Sequence, residues 1–157
     1  MNSSRSVSRS AVSRVSADAV MSATLTVQTR GAGFIDITRD VSAFLHEASA
    51  REGALTLFIR HTSASLTIQE NADPAVLTDL MTSLDRIAPP DFPWLHDTEG
   101  PDDMPAHIRT MLTATSLHVP VLAGALALGT WQGIYLIEHR ARPHRREVIA
   151  QFVGAAG

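Results

Sequence analysis

Histidines and carboxylates in the central part of the chain have residue types and spacings that could do chemistry. Asp103 and His107 stand four residues apart at the start of a predicted helix, so both project from one face and could form a metal-binding or proton-transfer pair. His96 lies on the acidic loop before them and could complete a His–His–carboxylate set suited to zinc or another divalent ion. Alternatively, Asp103 only caps the helix or complements its positive end.

A second polar group follows two predicted strands. His61 comes directly after one strand, and Glu70 and Asp73 come after the next. A hairpin between these strands would bring the three side chains together. A structural role is also open for two of them, because Asp73 occupies the N-cap position of a helix beginning at Pro74 and Glu70 would be a solvated strand end.

The ordered part of the chain has one basic cluster, in the segment EHRARPHRRE. Its members are Arg140, Arg142, Arg145 and Arg146, mixed with His139 and His144. Such a cluster at a strand-to-strand turn would bind phosphate or carboxylate well, although a solvated turn is the ordinary explanation of a charge run. Upstream, strand alternation in LGTWQGIYLIEHR places Trp131 and Gln132 on opposite faces, which fits a site near a subunit boundary.

The composition excludes several other kinds of site. The 157 residues contain no cysteine, and all 13 basic residues are arginines. Disulfides, thiolate metal sites, Schiff-base chemistry and lysine phosphate loops are therefore excluded, and any metal must be held by His, Asp or Glu. The net charge of -3 and the pI near 6.1 argue against nucleic-acid and membrane partners. We expect a soluble, cytoplasmic protein, and the charged share of only 18% favours a partner subunit that covers apolar surface.

The hydrophobic pattern predicts one α+β domain over residues 21–157, preceded by a disordered tail at residues 1–20. The tail is rich in serine and arginine, a composition that organellar transit peptides share, and translation could also start at Met21. Alternating segments on either side of Gly31 and Gly33 predict a hairpin. Helices are predicted at residues 41–48, 74–87 and 104–115, a long surface loop at 88–103, and strands at 55–59, 66–68 and beyond Pro120.

Four ordered blocks of the sequence resemble the YjbQ-like family, often labelled secondary thiamine-phosphate synthase. They are HTSASLTIQENADPAV, HDTEGPDDMPAH, LGTWQGIYLIEHR and RPHRRE, and the resemblance extends from Met21 to about Val153. It implies an α+β fold with a mixed, partly curled β-sheet and helices packed on it, assembled as a homotrimer. It also implies a polar pocket formed by His61, Glu70, Asp73, His96, Asp103, His107, Trp131, Gln132, Arg140 and Arg146.

The activity implied by this resemblance is a weak joining of a pyrimidine diphosphate to a thiazole phosphate, with release of pyrophosphate. A divalent ion, magnesium or zinc, and the arginine cluster would neutralise the leaving group. Asp103 and Glu70 would supply carboxylates to the ion, and His61 or His107 would bind it or donate a proton. The expected roles are catalytic for His61, Glu70, Asp73, Asp103 and His107, substrate-binding for Trp131, Gln132, Arg140 and Arg146, and metal-binding for His61, His96 and His107.

Two other functions remain open from the residues. The same histidines and aspartates could activate water for metal-assisted hydrolysis of a small anionic substrate. The protein could also be a trimer that binds a metal or a small phosphorylated metabolite without turning it over.

Overall fold

The computed structural model describes residues 6–157. Residues 6–18 are exposed and form neither helix nor strand, whereas residues 1–5 of the predicted tail lie outside the described residues. Strand β1 begins at Ala19, so residues 19 and 20 of the predicted tail belong to a sheet. Disorder of the remaining tail stays a prediction.

Eight strands and three helices make up the described part of the chain. The strands are β1 (Ala19–Gln28), β2 (Gly33–Asp36), β3 (Ala50–Ile59), β4 (Ala64–Glu70), β5 (Ser116–Leu122), β6 (Ala125–Leu126), β7 (Gln132–Glu138) and β8 (Arg145–Ala156). The helices are α1 (Thr38–Glu47), α2 (Pro74–Ile87) and α3 (Asp103–Leu112). The helix at 74–87 and the loop before Asp103 match the sequence prediction, while α3 ends three residues earlier than predicted.

The strands form two sheets, and the α+β class is confirmed. One sheet has five strands in the order β1-β8-β3-β5-β6, and the other has three in the order β2-β7-β4. All pairings within the described residues are antiparallel, where the resemblance implied a mixed sheet. Two neighbouring parallel strands must be joined by a connection of a dozen residues or more. The long connections of this chain, from β2 to β3 and from β4 to β5, join strands of different sheets instead.

The two predicted hairpins are wrong. β1 pairs with β8 along its whole length and β2 pairs with β7, so the chain passes from one sheet to the other at Gly31 and Gly33, both with positive φ. β3 and β4 also lie in different sheets, joined by residues 60–63. Alternating apolar residues predict that a segment is a strand, but they do not predict which strand it pairs with. Every strand with one buried face has the same alternation.

The core lies between the sheets and α1. Leu55, Leu57 and Ile59 alternate inward from β3, because successive side chains of a strand point to opposite faces. They pack in one cluster with β4, β7, β8 and the buried stripe of α1, which consists of Val41, Phe44 and Leu45. Packing within one chain therefore buries most of the apolar residues in these elements, although Met111 and Leu112 of α3 are exposed. One helix is an exception along its whole length.

The exception is α2. Asp73 caps it by accepting a hydrogen bond from the Ala75 N–H at 2.9 Å, and Pro74 begins it. None of its 14 residues, all of which the structure describes, is buried. This includes its apolar stripe, which has the helical spacing of a buried face and consists of Val76, Leu77, Leu80, Met81, Leu84 and Ile87. At 14 residues α2 is also the longest helix, and no helix within residues 6–157 is long and apolar enough to cross a membrane.

Candidate functional site

Two imidazoles and one carboxylate meet at the N-terminus of α3. His96 Nε2 lies 2.7 Å from Asp103 Oδ2, and His107 Nε2 lies 3.3 Å from the same oxygen. One ligand atom from each of these residues lies within 4.8 Å of the other two. Asp103 and His107 come from successive turns of α3, and His96 comes from the loop before it, as the spacing predicted. We refer to His96, Asp103 and His107 as the α3 centre.

The other polar atoms of the α3 centre have partners that orient it. His107 Nδ1 donates to the Thr62 carbonyl at 3.0 Å, which leaves the Nε2 lone pair facing Asp103. Asp103 is only 2% exposed, and its Oδ1 accepts from the Arg140 guanidinium. A histidine whose second nitrogen donates to a carbonyl is the usual arrangement around a protein-bound metal.

A second acidic side chain positions Arg140. Asp102 Oδ2 accepts from Arg140 Nε at 3.2 Å and from the Ala141 N–H at 2.8 Å, and the Glu99 carbonyl accepts from the third guanidinium nitrogen at 2.7 Å. Burial alone would raise the pKa of Asp102, but these donors outweigh it and hold the pKa below its ordinary value. Asp102 was not predicted as a site residue, although it stands next to Asp103 in the acidic loop.

This set of side chains suits a divalent metal. Two imidazoles and a carboxylate are a common ligand set for zinc, and the same set binds other transition metals. Three protein ligands leave at least one coordination position for water or substrate, which is the pattern of catalytic rather than structural sites. A cavity of about 690 Å³ is lined by Arg140, whose guanidinium bonds Asp103, by the exposed Arg142 and by part of the acidic loop.

His61 lies apart from the α3 centre, although the sequence pattern grouped it with the metal ligands. Its Nε2 accepts a hydrogen bond from the Glu147 N–H at 2.8 Å, so the ring proton sits on Nδ1. Burial and the nearby Arg146 lower the pKa of His61, which keeps the ring neutral. His61 is not among the residues whose ligand atoms meet at the α3 centre, although its neighbour Thr62 directs its carbonyl to His107.

Arg146 forms a buried ion pair with Glu138. Arg146 Nε donates to Glu138 Oε2 at 2.7 Å, and its NH2 donates to Oε1 at 2.5 Å. Burial by itself would raise the pKa of Glu138, but Arg146, the Arg140 N–H and the Thr29 hydroxyl lower it overall. The fully buried Glu138 was not predicted as a site residue. Alternation along β7 predicted only which face of the sheet its side chain occupies.

The remaining predicted residues lie at the opposite end of the three-stranded sheet. Glu70 pairs with Gln132 in the register that sets Ala64 opposite Glu138. Six residues of strand separate these pairs, which is about 20 Å. Within one chain, Glu70 therefore does not reach the α3 centre, and the structure does not bring all the candidate residues together in one cavity. Asp73 caps α2, Trp131 is 65% exposed and Gln132 accepts from the Gly129 N–H.

A buried hydrogen-bonded chain that the sequence did not predict joins the sheet to α3. His139 Nε2 lies 2.8 Å from Ser65 Oγ, which lies 2.6 Å from Thr113 Oγ1. His139 is 1% exposed, and burial together with the nearby Arg109 charge lowers its pKa to about 4. The next residue, Arg140, donates a hydrogen bond to Asp103. The hydrogen-bonded series of His139, Ser65 and Thr113 therefore supports the α3 centre from inside the molecule.

The fold and the centre define an α+β protein with a His–His–carboxylate set of metal-binding type. The family model described as "UPF0047 protein YjbQ-like" matches residues 23–155. A UPF0047 protein of Synechocystis is 50% identical over 131 residues, covering 83% of this chain and 89% of that protein. The YjbQ protein of Salmonella typhimurium is 42% identical over 132 residues, covering 83% of this chain and 96% of its own.

Solved structures agree with these sequence matches. An uncharacterized YjbQ/UPF0047 protein of Clostridium acetobutylicum superposes with a TM-score of 0.75 at 36% identity, covering 84% of this chain and 98% of its own. A hypothetical protein of Aeropyrum pernix gives a TM-score of 0.79 at 28% identity, covering 86% of this chain and 99% of its own. The chain belongs to the YjbQ-like UPF0047 family.

The buried His139 predicts an acid-sensitive stability. An unfolded chain protonates this histidine below its ordinary pKa of 6.5, whereas the folded protein resists protonation until about pH 4. Stability therefore falls as the pH drops through this window, and His139 should account for about 2 kcal/mol between pH 7 and pH 5. Denaturant titrations in EDTA should give a shallower pH dependence for His139→Gln than for the wild type.

The matched control is His46→Gln, at an exposed position on α1. It should keep the wild-type pH dependence. Equal slopes for His139→Gln and the wild type would mean that the native protein protonates His139 as readily as the unfolded chain does, which would contradict the lowered pKa.

Proposed function

We propose that this protein is an enzyme that uses a divalent ion, held by the α3 centre, to act on a small phosphorylated molecule. The observation that carries this proposal is the convergence of two Nε2 atoms and a carboxylate oxygen within 4.8 Å, beside Arg140. The partners of Asp103 and His107 support it, since they orient both side chains before any ion arrives.

The reaction we propose is the joining of a pyrimidine diphosphate to a thiazole phosphate. The thiazole nitrogen donates its lone pair to the pyrimidine methylene carbon, so a C–N bond forms as the C–O bond breaks, and the C–O electron pair leaves with pyrophosphate. A bound divalent ion would offset the charge on that leaving group. Arg142 would supply positive charge along the cavity that Arg140 also lines, and Asp103, held by Arg140, would bind the ion together with His107.

Metal-assisted hydrolysis of a phosphate ester is the second candidate. The open coordination position of a site with three protein ligands favours it, because a water bound there would be activated as a nucleophile. This reaction needs one anionic substrate rather than two.

We also propose that the chain assembles as a homotrimer, as the resemblance implies, and acts in the cytoplasm. The unburied apolar stripe of α2 supports contact with another copy, because a helix with this periodicity ordinarily packs on a partner. In such an assembly the exposed Trp131 end of one copy could lie near the α3 centre of the next, which a single chain cannot achieve.

Metal binding at the α3 centre is testable without a substrate. Isothermal titration of zinc or manganese into EDTA-stripped, dialysed protein should show one ion per chain. His107→Ala and Asp103→Asn should weaken binding by roughly 100-fold or more, because even the outer partners of metal ligands are worth about 10- to 100-fold. His118→Ala, at an exposed position on β5, is the matched control and should bind like the wild type. An α3 centre that binds no ion, or binds equally without His107, would refute the proposal.

The reaction itself is tested by incubating the protein with the two precursors and magnesium or zinc. We expect slow formation of thiamine phosphate and pyrophosphate, lowered at least tenfold in Asp103→Asn and in Arg140→Ala, because each substitution removes one side of the pair that holds the centre. Phosphate release from simple esters without thiamine phosphate would instead favour hydrolysis. Metal binding with neither product would favour a non-catalytic binding protein.

The assembly is tested by placing a charge on the α2 stripe. Leu80→Glu should shift the sedimentation mass from three chains towards one, because a desolvated carboxylate without a partner opposes docking. Thermal unfolding of the single chain should change little, since no residue of α2 is buried within it. Thr82→Glu, on the exposed face of α2, is the control and should stay trimeric. A wild-type protein that sediments as a monomer would contradict the assembly.

A further inference from the structure

A second cleft lies on the other side of residues 60–63 from the α3 centre. Its volume is about 590 Å³, and its polar lining comes from Arg60, His61, Thr62, Ser63, Thr115 and Arg146. It opens where β3 ends and β8 begins, so rigid strands rather than a long loop position these side chains. We refer to it as the His61 cleft.

Arg146 offers an unused donor to this cleft. Its guanidinium is only 5% exposed, and Glu138 and Ser63 take up Nε and NH2. The remaining nitrogen, NH1, makes no hydrogen bond to any residue between 6 and 157, and it is not among the atoms sealed from solvent. The bidentate pair with Glu138 therefore holds the guanidinium rigidly, while its NH1 nitrogen stays available to donate.

His61 and Ser63 add neutral donors. Because His61 Nε2 accepts from the Glu147 N–H, its proton is on Nδ1, for which the described residues provide no acceptor. Ser63 Oγ accepts from Arg146 NH2 at 3.0 Å, so its own hydrogen remains free to donate. Three donors then line the cleft. The two carboxylates beside it are both paired, Glu138 with Arg146 and Glu147 with Arg60 and Arg145.

A site with three available donors, whose neighbouring carboxylates are both paired with arginines, favours an oxyanion. A phosphate group has enough oxygens to accept from all three donors at once, whereas a carboxylate has two. The adjacent Arg60 and Arg145 pair with the single Glu147, which leaves one positive charge in excess beside the cleft.

The His61 cleft and the α3 centre share one segment of backbone. Thr62 directs its carbonyl to His107 of the α3 centre, and its two sequence neighbours face the cleft. Two anionic groups bound at these places would lie on either side of the same residue. This arrangement suits a reaction that joins two phosphorylated molecules, and hydrolysis of a single ester has no use for it.

We propose that the His61 cleft binds the phosphate of a second phosphorylated molecule, beside the substrate held at the α3 centre, through Arg146, His61 and Ser63. His61 is thus assigned to phosphate binding rather than to the metal. This inference rests on the proposed function for its reaction context, and it deepens that function by locating the site of the second anionic substrate.

Inorganic phosphate is the probe. Titrated into metal-free protein in EDTA, phosphate should bind, and acetate should bind more weakly. His61→Ala should weaken phosphate binding about tenfold or more, and Ser63→Ala by a smaller factor, because each substitution removes one donor to a charged acceptor. The controls His118→Ala and Ser42→Ala, both at exposed positions, should bind like the wild type.

Arg146→Lys keeps a positive charge opposite Glu138 and tests the guanidinium without leaving a buried carboxylate unpaired. It should fold, as checked by circular dichroism, and should lose most of the phosphate affinity. His107→Ala should keep phosphate binding in EDTA while it loses the metal.

The two proposals fail separately. Phosphate affinity that is unchanged in His61→Ala, or no phosphate binding at millimolar concentration, overturns this inference even when the metal binds. A wild-type protein that binds no metal ion but keeps the His61-dependent phosphate site overturns the proposed function instead.

Discussion

A carboxylate that is withdrawn from water must be paired, and Asp103 is such a carboxylate. With 2% of its surface exposed, it would be strongly destabilising alone. Its partners come from three different parts of the chain: His107 from its own helix, His96 from the preceding loop, and Arg140 from the end of β7. Satisfying one buried charge therefore fixes the loop, the helix and the sheet relative to one another.

The end of β7 is where these constraints meet. Glu138, His139 and Arg140 are consecutive, and each binds a different segment of the chain: Arg146 of β8, Ser65 of β4 and Asp103 of α3. Because β7 ends at Glu138, His139 and Arg140 lie outside the strand, and the three adjacent side chains reach three different partners. The α3 centre and the His61 cleft are thereby built on the same rigid strand end, with Thr62 between them.

Sequence patterns predicted the local features well. The α2 helix follows from Asp73, Pro74 and an apolar stripe, and the pairing of Asp103 with His107 follows from helical spacing. His96 was found because it lies only seven residues before Asp103. His61 was predicted to meet Glu70 and Asp73 across a hairpin, and that hairpin is wrong because β3 and β4 belong to different sheets.

The types and spacings of the side chains were sufficient to predict the α+β class, the helix that carries Asp103, and a His–His–carboxylate set, since all of these depend on contacts within about one turn or one short loop. Only the tertiary structure decided that Glu70 and Trp131 lie about 20 Å along the sheet from the end of β7 at Glu138. It also decided that Arg146 pairs with Glu138 rather than with solvent. Those contacts depend on which strands pair and in which register. Apolar alternation is common to every strand, so it cannot distinguish one partner from another.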